Sequence, residues 1–582
     1  MTSVKESANF IWSIADLLRG DYKQSDYGKV VLPFTVLRRL DCVLESTKDE
    51  VLKKAEQVKS MNIQNLDPIL NKVSGYNFHN RSKFTFDKLV ADPNNIAANL
   101  RNYINGFSED AREIIEQFEF DNQITKLDDN NLLFMVLKRF QEVDLHPSKI
   151  SSMDMGYMFE EIIRKFAELS NETAGEHFTP REVIKLMVNL LFMDDRDALT
   201  KKGVVKTIFD CCAGTGGMLS VAEEYLQELN PDARLELFGQ ELNPESYAIC
   251  KSDMLIKGQN PSNIKRANSL KRKESEKQKP DQFIGQKFDY LITNPPFGVK
   301  WKKVQKEVVE EHEELGFGGR YGAGLPSVSD GSFLFLMNLM SKMKTKEQGG
   351  SRLAIVFNGS PLFSGSPSSK KNESSIRQWI IENDLLEAIV ALPNQLFYNT
   401  GISTYVWVIS NHKPAERKGK VQLINAVGFF QKMSKSLGDK RNELSDQHIE
   451  DITKIYGSFE EGQFSKIFDN EDFGYYKVTV ERPLKENGKV VTDKKGNPKP
   501  DSSLRDTENI PLKEDINEYM EREVLPHVPD AWVDEKKTLV GYEINFTKYF
   551  YEYKPLRSLD EIRADILQLE EETDGLIKEV IS

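Results

Sequence analysis

The sequence predicts an α/β protein in which a mostly parallel sheet with helices on both faces follows an all-helical N-terminal region. The first observation is that short apolar or β-branched runs alternate with helical segments from about residue 150 to about residue 420, which is typical of βαβ units. The second is that residues 1–150 repeat apolar side chains at helical spacing and contain little that indicates a strand. The predicted strands are Val204–Phe209, Leu235–Phe238, Phe288–Thr293, Arg352–Phe357, Leu386–Leu392 and Thr404–Ile409.

Composition limits the class of protein. The 582 residues carry a formal net charge of −13, and 39% of them are hydrophobic, which is typical of globular domains. No apolar run reaches the ~18 residues of a membrane span, the first residues lack a signal-peptide pattern, and the four cysteines predict neither disulfides nor a zinc site. We therefore expect a cytoplasmic protein without a metal. The net negative charge disfavours a protein that binds nucleic acid over a large surface without a partner. It permits a protein that binds DNA through a basic partner.

The elements follow from local patterns. Helical spacing at Phe10, Ile11, Ile14, Leu17 and Leu18, and again over Val30–Leu40, predicts the N-terminal helices. Only Pro393–Ser403 separates the last two predicted strands, which is too short for a crossover helix, so we expect an antiparallel hairpin at one edge of the sheet. Three segments are predicted as loops: Lys271–Pro280 as solvated surface, the glycine-rich Gly316–Gly324 as mobile, and Asn487–Thr507 as an exposed hairpin or linker.

A heptad pattern marks the C-terminal helix. Its apolar positions are Ile562, Ile566, Leu569, Thr573, Leu576 and Val580, with Thr573 as the weak member. The spacing between these positions alternates between four and three residues, which predicts an apolar seam along one side of the helix. One short helix cannot bury this seam by itself. The seam either packs on the body of this chain or docks on another subunit.

A glycine-rich turn follows the first predicted strand, which ends in Asp210. The turn contains Gly214, Thr215, Gly216 and Gly217. Glycines at such a turn let the backbone approach a ligand at the N-terminus of the next helix. The pattern is not the dinucleotide-binding fingerprint, because Leu219 takes the place of its third glycine. A tight strand-to-helix turn without a ligand would also account for these glycines.

An acidic residue ends the next predicted strand. Glu241 lies 31 residues beyond Asp210, and the two strand ends should be neighbours at the carboxyl edge of the sheet. A carboxylate there can accept hydrogen bonds from both hydroxyls of a ribose. Alone it would be an exposed charge or a helix cap, but beside the glycine-rich turn it favours a nucleoside site.

The strongest motif is the end of the strand over residues 289–293. The strand stops in Asn294, Pro295, Pro296 and Phe297. Prolines cannot continue a ladder and they fix the local backbone, so an amide oxygen and a carbonyl become a pair of acceptors beside an aromatic ring. This arrangement suits a planar group that bears an NH2, such as an adenine edge or an amide. A proline-terminated strand with a core phenylalanine is the structural alternative.

These motifs together resemble those of S-adenosylmethionine-dependent amino-methyltransferases, in which Asp-x-x-x-Gly-Thr-Gly-Gly precedes Asn-Pro-Pro-Phe. Residues 174–181 match the Phe-Thr-Pro motif of N6-adenine DNA methyltransferases whose cofactor half comes first. The sequence resembles even more closely the modification subunits of type I restriction-modification systems. Residues 11–20, 27–40, 352–357 with 361–363, 440–444 and 541–551 carry that likeness, which covers essentially the whole chain.

The resemblance implies a Rossmann-like mixed sheet of the S-adenosylmethionine-dependent methyltransferase fold, an N-terminal all-helical domain and a C-terminal helical extension. It also implies S-adenosylmethionine as the cofactor. The cofactor-binding residues would be Glu176, His177, Phe178, Thr179, Pro180, Arg181, Asp210, Gly214, Thr215, Gly216, Gly217, Glu241, Asn268 and Ser269. The sequence departs from the family in residues 211–213, Cys-Cys-Ala, and at Asn268, where related enzymes often have an aspartate that contacts the adenine of the cofactor.

The resemblance further implies that residues 294–297 are catalytic. The Asn294 amide oxygen and the Pro295 carbonyl would each accept a hydrogen bond from the amino group of adenine N6. These two bonds would aim the lone pair of N6 at the methyl group, and Phe297 would stack on the base. The target base must leave the duplex to reach the site. A sulfonium methyl group is already activated, so we expect positioning to supply most of the catalysis without a metal.

The family resemblance also implies the function and the partners. The chain would methylate adenine in double-stranded DNA as the modification subunit of a type I complex, two copies joining one specificity subunit, with a restriction/translocase subunit in the full assembly. The alternatives are a stand-alone methyltransferase acting on protein glutamine or RNA, and a non-catalytic scaffold. We expect domains at residues 1–150 (helical), 151–480 (catalytic), 481–555 (extension with an exposed loop) and 556–582 (docking helix).

Overall fold

The computed structural model describes residues 13–61, 63–170, 179–195, 199–275, 278–368, 370–398, 400–551 and 558–569. The chain divides into two compact units, Met1–Ile544 and Asn545–Ser582. None of the helices in the described ranges is long and apolar enough to cross a membrane.

The described residues up to residue 170 form helices joined by turns and loops. Apart from residues 13–17, the helices are α1 (Gly28–Leu44), α2 (Lys48–Val58), α3 (Asp67–Ser74), α4 (Phe86–Val90), α5 (Ile96–Asn105), α6 (Glu109–Glu116), α7 (Phe120–Asp129), α8 (Leu133–Gln141) and α9 (Ser152–Ser170). Apolar residues on α1 form the centre of their core. Phe34 on α1 contacts Phe120 edge-on at 4.8 Å between ring centroids and stacks on Phe140 at 5.2 Å. The all-helical N-terminal region is therefore confirmed over the described residues.

The strands, in chain order, are β1 (Val205–Asp210), β2 (Arg234–Glu241), β3 (Ile264–Arg266), β4 (Tyr290–Thr293), β5 (Arg352–Asn358), β6 (Leu386–Ala391), β7 (Thr404–Ser410), β8 (Lys420–Asn425), β9 (Gln431–Leu437), β10 (Lys440–Glu443), β11 (Ser465–Asp469), β12 (Gly474–Glu481), β13 (Lys485–Glu486), β14 (Lys489–Val490), β15 (Asp506–Pro511), β16 (Trp532–Val533) and β17 (Leu539–Tyr542). Nine of them form one mixed sheet in the order β11-β8-β6-β7-β5-β4-β1-β2-β3. Strands β3, β2, β1, β4 and β5 are parallel to one another. All six strands predicted from the sequence are present in this sheet.

The predicted hairpin exists, but its predicted place at the sheet edge is wrong. Strand β7 runs antiparallel to β6 on one side and to β5 on the other. Two further strands extend the sheet beyond β6, because β8 pairs with β6 in parallel and β11 pairs with β8. The hairpin is therefore internal, and its strands are almost completely buried.

Helices cover both faces of the sheet. The α-helices that follow α9 in the chain are α10 (Arg181–Phe192), α11 (Gly217–Leu229), α12 (Pro244–Ile256), α13 (Gln305–Leu315), α14 (Ser332–Met340), α15 (Ser360–Phe363), α16 (Glu373–Glu382), α17 (Asp446–Ser458) and α18 (Ile516–Tyr519). The second unit, taken by itself, contains α19 (Phe546–Tyr549). Val356 on β5 belongs to the core formed with α10, α11 and α17. The next residue, Phe357, faces the other way and contacts Phe333 of α14 at 5.9 Å between ring centroids. This alternation along β5 confirms the layered α/β fold.

The remaining strands form smaller sheets. Strand β12 pairs with β15, β16 and β17, while β9 pairs with β10. The short hairpin of β13 and β14 is exposed, as predicted for residues 487–507. The described residues of 271–280 are mostly exposed, also as predicted. The boundary that we expect after residue 480 falls inside β12, and the domain limits stay a prediction.

The glycine-rich segment 316–324 is packed, whereas we expected it to be mobile. Tyr321 is fully buried, and its carbonyl lies 2.7 Å from the Nδ1 atom of His312. A Cβ atom on Gly322 would lie 2.5 Å from the backbone nitrogen of Phe317. Glycine is therefore needed there for close backbone packing.

Candidate active site

A cavity of about 550 Å³ lies where strands β1, β2 and β4 end. These strands are neighbours in the sheet, so the residues that follow them meet at one edge, which is where α/β sheets bind ligands. The volume is in the range of sites for small molecules and cofactors. Its lining includes the sequence-predicted residues Gly214, Glu241, Asn268, Ser269, Asn294 and Pro296.

The turn after β1 is held by the buried carboxyl group of Asp210. Its Oδ1 atom accepts hydrogen bonds from the backbone N–H of Cys212 at 2.9 Å and from the hydroxyl of Thr293 at 2.7 Å. Burial raises the pKa of Asp210 to about 7. The carboxyl group thereby ties the turn to the end of β4 and has no direct place in the cavity lining.

Two glycines of this turn adopt left-handed backbone conformations for different reasons. A Cβ atom on Gly216 (φ +86°) would lie 2.8 Å from the sulfur of Cys250, so this glycine allows helix α11 to pack closely on α12. A Cβ atom on Gly214 (φ +52°) would meet no atom within 4 Å. Since Gly214 lines the cavity, it leaves the backbone open to a ligand.

The carboxylate of Glu241 forms one wall of the cavity. Its Oε2 atom accepts a hydrogen bond from the N–H of Gly214 at 2.8 Å, and its Oε1 atom accepts from Leu242 at 2.7 Å and Asn243 at 2.8 Å. Burial raises the pKa of Glu241, and the three N–H groups oppose that shift. The backbone therefore orients the carboxylate; Oε1 already accepts two hydrogen bonds, while Oε2 keeps a second acceptor position for a ligand hydroxyl.

The side chain of Asn294 reaches the cavity from the end of β4. Its amide nitrogen donates a hydrogen bond to the hydroxyl of Thr179 at 2.8 Å, and both residues are 8% exposed. This bond holds the amide plane in place. The half-buried ring of Phe297 contacts the buried ring of Phe397 at 6.2 Å between centroids, which fixes the aromatic member of the motif.

Ser269 and Asn268 form a second wall of the cavity. The Ser269 hydroxyl donates to the carbonyl of Cys211 at 2.5 Å and accepts from the amide of Gln240 at 2.7 Å, so it joins the ends of β1 and β2. The Asn268 amide nitrogen donates to the side chain of Gln278 at 3.1 Å. Both residues line the cavity, and the predicted contact of Asn268 with a cofactor stays a prediction.

A buried ion network lies behind this wall, and the sequence reasoning missed it. Arg320 pairs with Glu311 at 2.7 Å and donates to the carbonyl of Ser269 at 2.8 Å. Asn338 donates to the same carbonyl at 2.8 Å, and Lys342 pairs with Asp281 at 2.6 Å. The side chains of these ions are 6% exposed or less. The only signal in the sequence is an isolated Arg-Tyr pair inside the glycine-rich loop.

Several predicted residues lie away from the main cavity. Thr215, Gly217 and Arg181 line a much smaller cavity of about 20 Å³ with Arg39 and Asp253. Arg181 donates to the carbonyl of Gly217 at 3.3 Å. Gly214 therefore lines the main cavity, whereas Thr215 and Gly217 line the smaller one. The linear motif does not reveal this division.

Other site predictions are only partly placed. Pro180 and Pro295 are buried beside cavity-lining neighbours, and the predicted Glu176, His177 and Phe178 lie outside the described residues. Sequence reasoning missed Lys300, Trp301 and Lys303, which line the cavity. Their signal was their position directly after the Asn-Pro-Pro-Phe motif. The described residues contain no group of three or more His, Cys, Asp or Glu side chains that could hold a metal ion.

Comparison with known families identifies the class of enzyme. Residues 151–488, more than half of the chain, match the family model described as N-6 DNA Methylase. The chain belongs to this family. It is therefore an adenine-specific DNA methyltransferase by descent, and residues 7–140 match the HsdM N-terminal domain. The cavity described above lies within the N-6 DNA methylase region.

Individual relatives agree with this family. The chain is 26% identical over 508 residues to the type I restriction enzyme MjaIX methylase subunit of Methanocaldococcus jannaschii, covering 84% of this chain and 83% of the relative. It is 27% identical over 345 residues to the HindI methylase subunit of Haemophilus influenzae, covering 58% and 67% of the two chains.

Solved structures share the fold of this N-6 DNA methylase. The type I restriction-modification methyltransferase subunit of Streptococcus thermophilus superposes with a TM-score of 0.61 at 23% identity, over 81% of this chain and 97% of that one. A chain solved in work on complex assembly of the type I R-M system gives a TM-score of 0.51 at 16% identity, over 98% and 97%. These similarities confirm the methyltransferase fold predicted from the sequence.

Proposed function

We propose that this N-6 DNA methylase transfers a methyl group from S-adenosylmethionine to N6 of an adenine in double-stranded DNA, as the modification subunit of a type I restriction-modification complex. One observation carries the proposal. A single cavity is lined both by Gly214 and Glu241, which suit a nucleoside, and by Asn294, which suits an amine. A donor and an acceptor could therefore occupy adjoining parts of one site.

The residues present fit the proposed cofactor. Gly214 leaves open space for a ligand against the backbone, and Glu241 presents an oriented carboxylate whose Oε2 atom can accept a hydrogen bond from the ribose. Asn268 and Ser269 would lie along the adenine side, and Thr179 and Pro180 near the methionine end. The sulfonium of S-adenosylmethionine supplies an activated methyl group, so what remains for the protein is to bind and orient the two reactants.

The protein's own chemistry acts on the target amine. The lone pair of adenine N6 is delocalised into the ring, which makes it a poor nucleophile. Hydrogen bonds from its two N–H groups to the Asn294 amide oxygen and the Pro295 carbonyl favour a pyramidal nitrogen with its lone pair directed at the methyl group. Phe297 would hold the extruded base by stacking, a contact worth about 1–3 kcal/mol. Thr179 fixes the amide plane that this geometry needs.

The proposed partners follow from the relatives, which are methylase subunits of type I restriction enzymes. A specificity subunit would choose the DNA sequence, two copies of this chain would join one such subunit, and a restriction/translocase subunit would complete the assembly. In the C-terminal unit, Leu559, Ile566 and Leu569 of the helical residues 559–569 are more than half exposed. We assign this helix to docking on the specificity subunit; the predicted Thr573, Leu576 and Val580 lie outside the described residues.

The test uses the complex purified with the specificity subunit encoded beside it. Labelled methyl incorporation is compared for duplex DNA, RNA and a glutamine-containing protein fraction, and the product on DNA is identified by nucleoside mass spectrometry. We expect N6-methyladenine in DNA, lost on Asn294→Ala and retained in Asn497→Ala, a control in the exposed 487–507 segment. Calorimetry should show that Asn294→Ala keeps its affinity for the cofactor. Methylation of RNA or glutamine in place of DNA, or normal turnover of the Asn294→Ala variant, would refute the proposal.

A further inference from the structure

Two short basic segments adjoin the catalytic tetrapeptide of this acidic chain. The first, residues 298–303, contains Lys300, Lys302 and Lys303 and no acidic residue. The second is the β9–β10 hairpin, residues 431–443, which contains the exposed side chains Lys432, Lys435 and Arg441. All six side chains are exposed, and none forms an ion pair with another described residue. Unpaired cations at this place contrast with the net charge of −13.

The base of the β9–β10 hairpin is fixed next to the site. The backbone N–H of Arg441 donates to the carbonyl of Gln395 at 2.9 Å, and the side-chain amide of Asn442 donates to the carbonyl of Asn394 at 2.8 Å. The 394–398 segment also supplies Phe397, whose ring contacts Phe297 of the catalytic motif. The hairpin is therefore held one loop away from the predicted base-stacking ring.

A buried charge anchors the same hairpin on its other side. The ammonium of Lys440 is 3% exposed and pairs with Glu182, in the first turn of helix α10. That turn directly follows Thr179, the hydrogen-bond partner of Asn294. The hairpin thus contacts both elements that position the catalytic residues, while its other three cations remain exposed.

Residues 298–303 are equally well fixed. Trp301 is 3% exposed, and its indole N–H donates to the carbonyl of Ser327 at 2.8 Å. Lys300 and Lys303 on either side of it line the cavity that contains Asn294 and Pro296. Because the tryptophan is anchored, these lysines stay at the mouth of the site.

We propose that the two basic segments are the part of this chain that grips DNA, by binding the phosphates on either side of the flipped adenine. The inference rests on the proposed function and adds the elements that hold the duplex at the site. Lysines and arginines that neutralise phosphates release condensed counterions, and such contacts position the duplex without reading its sequence. A separate specificity subunit can then choose the sequence while these segments hold the strand that carries the target base.

The salt dependence of DNA binding tests the proposal in the complex with the specificity subunit. The variant Lys432→Gln/Lys435→Gln/Arg441→Gln and a second variant, Lys300→Gln/Lys302→Gln/Lys303→Gln, are compared with the wild type by fluorescence anisotropy between 50 and 200 mM KCl, roughly the range over which phosphate contacts dominate. Each lost phosphate contact should lower the slope of log K against log salt by about 0.9, or about 2.7 for three contacts in each copy of the chain that contacts the DNA. Cofactor affinity of the first variant should equal that of the wild type.

The matched control is Lys494→Gln/Lys495→Gln/Lys499→Gln, which removes three exposed cations from the hairpin segment far along the chain. It changes the net charge equally and should keep the wild-type slope. An unchanged slope in both test variants, or an equal fall in the control, would overturn the inference while wild-type DNA methylation continued. Absence of DNA methylation by the wild-type complex would instead overturn the proposed function, and this inference with it.

Discussion

Replacing Thr179 with valine removes one hydroxyl and keeps the shape of the side chain. The Thr179 hydroxyl accepts the hydrogen bond from the Asn294 amide at 2.8 Å, and both side chains are buried. Loss of a partner for a buried polar group costs about 1–3 kcal/mol. If that energy orients the amide in the transition state, kcat/KM for DNA should fall about 5-fold to about 150-fold, at about 1.4 kcal/mol for each factor of ten.

The assay measures labelled methyl transfer by the complex at limiting DNA, with calorimetry for the cofactor and thermal unfolding for the fold. Thr179→Ser keeps the hydroxyl and is the matched control, so it should retain most of the activity. Cofactor affinity of the valine variant should change far less than its kcat/KM. A valine variant with wild-type kcat/KM, or a serine variant as impaired as the valine one, would refute the role of this hydrogen bond.

Three further predictions concern the cofactor wall, pH and assembly. Glu241→Ala should weaken cofactor binding by roughly 1.5–3 kcal/mol, the value of a hydrogen bond to a charged group, as measured by calorimetry against Glu241→Gln. Because the pKa of Asp210 is raised to about 7, the folded state binds its proton more tightly; this contribution to stability is full below pH 3.8 and is lost as pH rises through about 7. Asp210→Asn should therefore lose less stability between pH 5 and pH 8 than the wild type in thermal unfolding, and an equal loss would contradict this assignment. Deleting Leu559–Ser582 should leave a cofactor-binding chain that no longer joins the specificity subunit; light scattering and a pull-down decide this, and a truncated chain that still assembles would show that the helix is not the docking element.

Patterns of neighbouring residues predicted much of the fold. The strands around Phe209, Ile292 and Val356 were visible because each is a short buried run followed by turn residues. The internal position of the β6–β7 hairpin was not visible, because β8 and β11 come later in the chain and β11 is only half-buried. Strand order depends on long-range pairing, which local hydrophobicity does not encode.

The residues of the candidate site were also predicted only in part. Gly214, Glu241 and Asn294 were predicted because each directly follows a strand, and parallel strands bring such residues together. The linear motif could not show that Thr215 faces a different cavity, since this depends on the left-handed backbone of Gly214 and Gly216 on either side of it. Arg320 was missed because its partners, Glu311 nine residues earlier and the backbone carbonyl of Ser269 51 residues earlier, follow no local spacing pattern.

The buried ion network makes the cavity wall depend on the packing of a helix distant in sequence. The carbonyl of Ser269 is held by Asn338, 69 positions further along the chain, so the wall is complete only when helix α14 has packed. A molecule that needs this wall binds the native chain and not its partly folded forms. At 100 times its Kd, such a ligand adds about 2.7 kcal/mol to the free energy of unfolding. The lifetime of the enzyme in a cell should then rise and fall with the supply of its methyl donor.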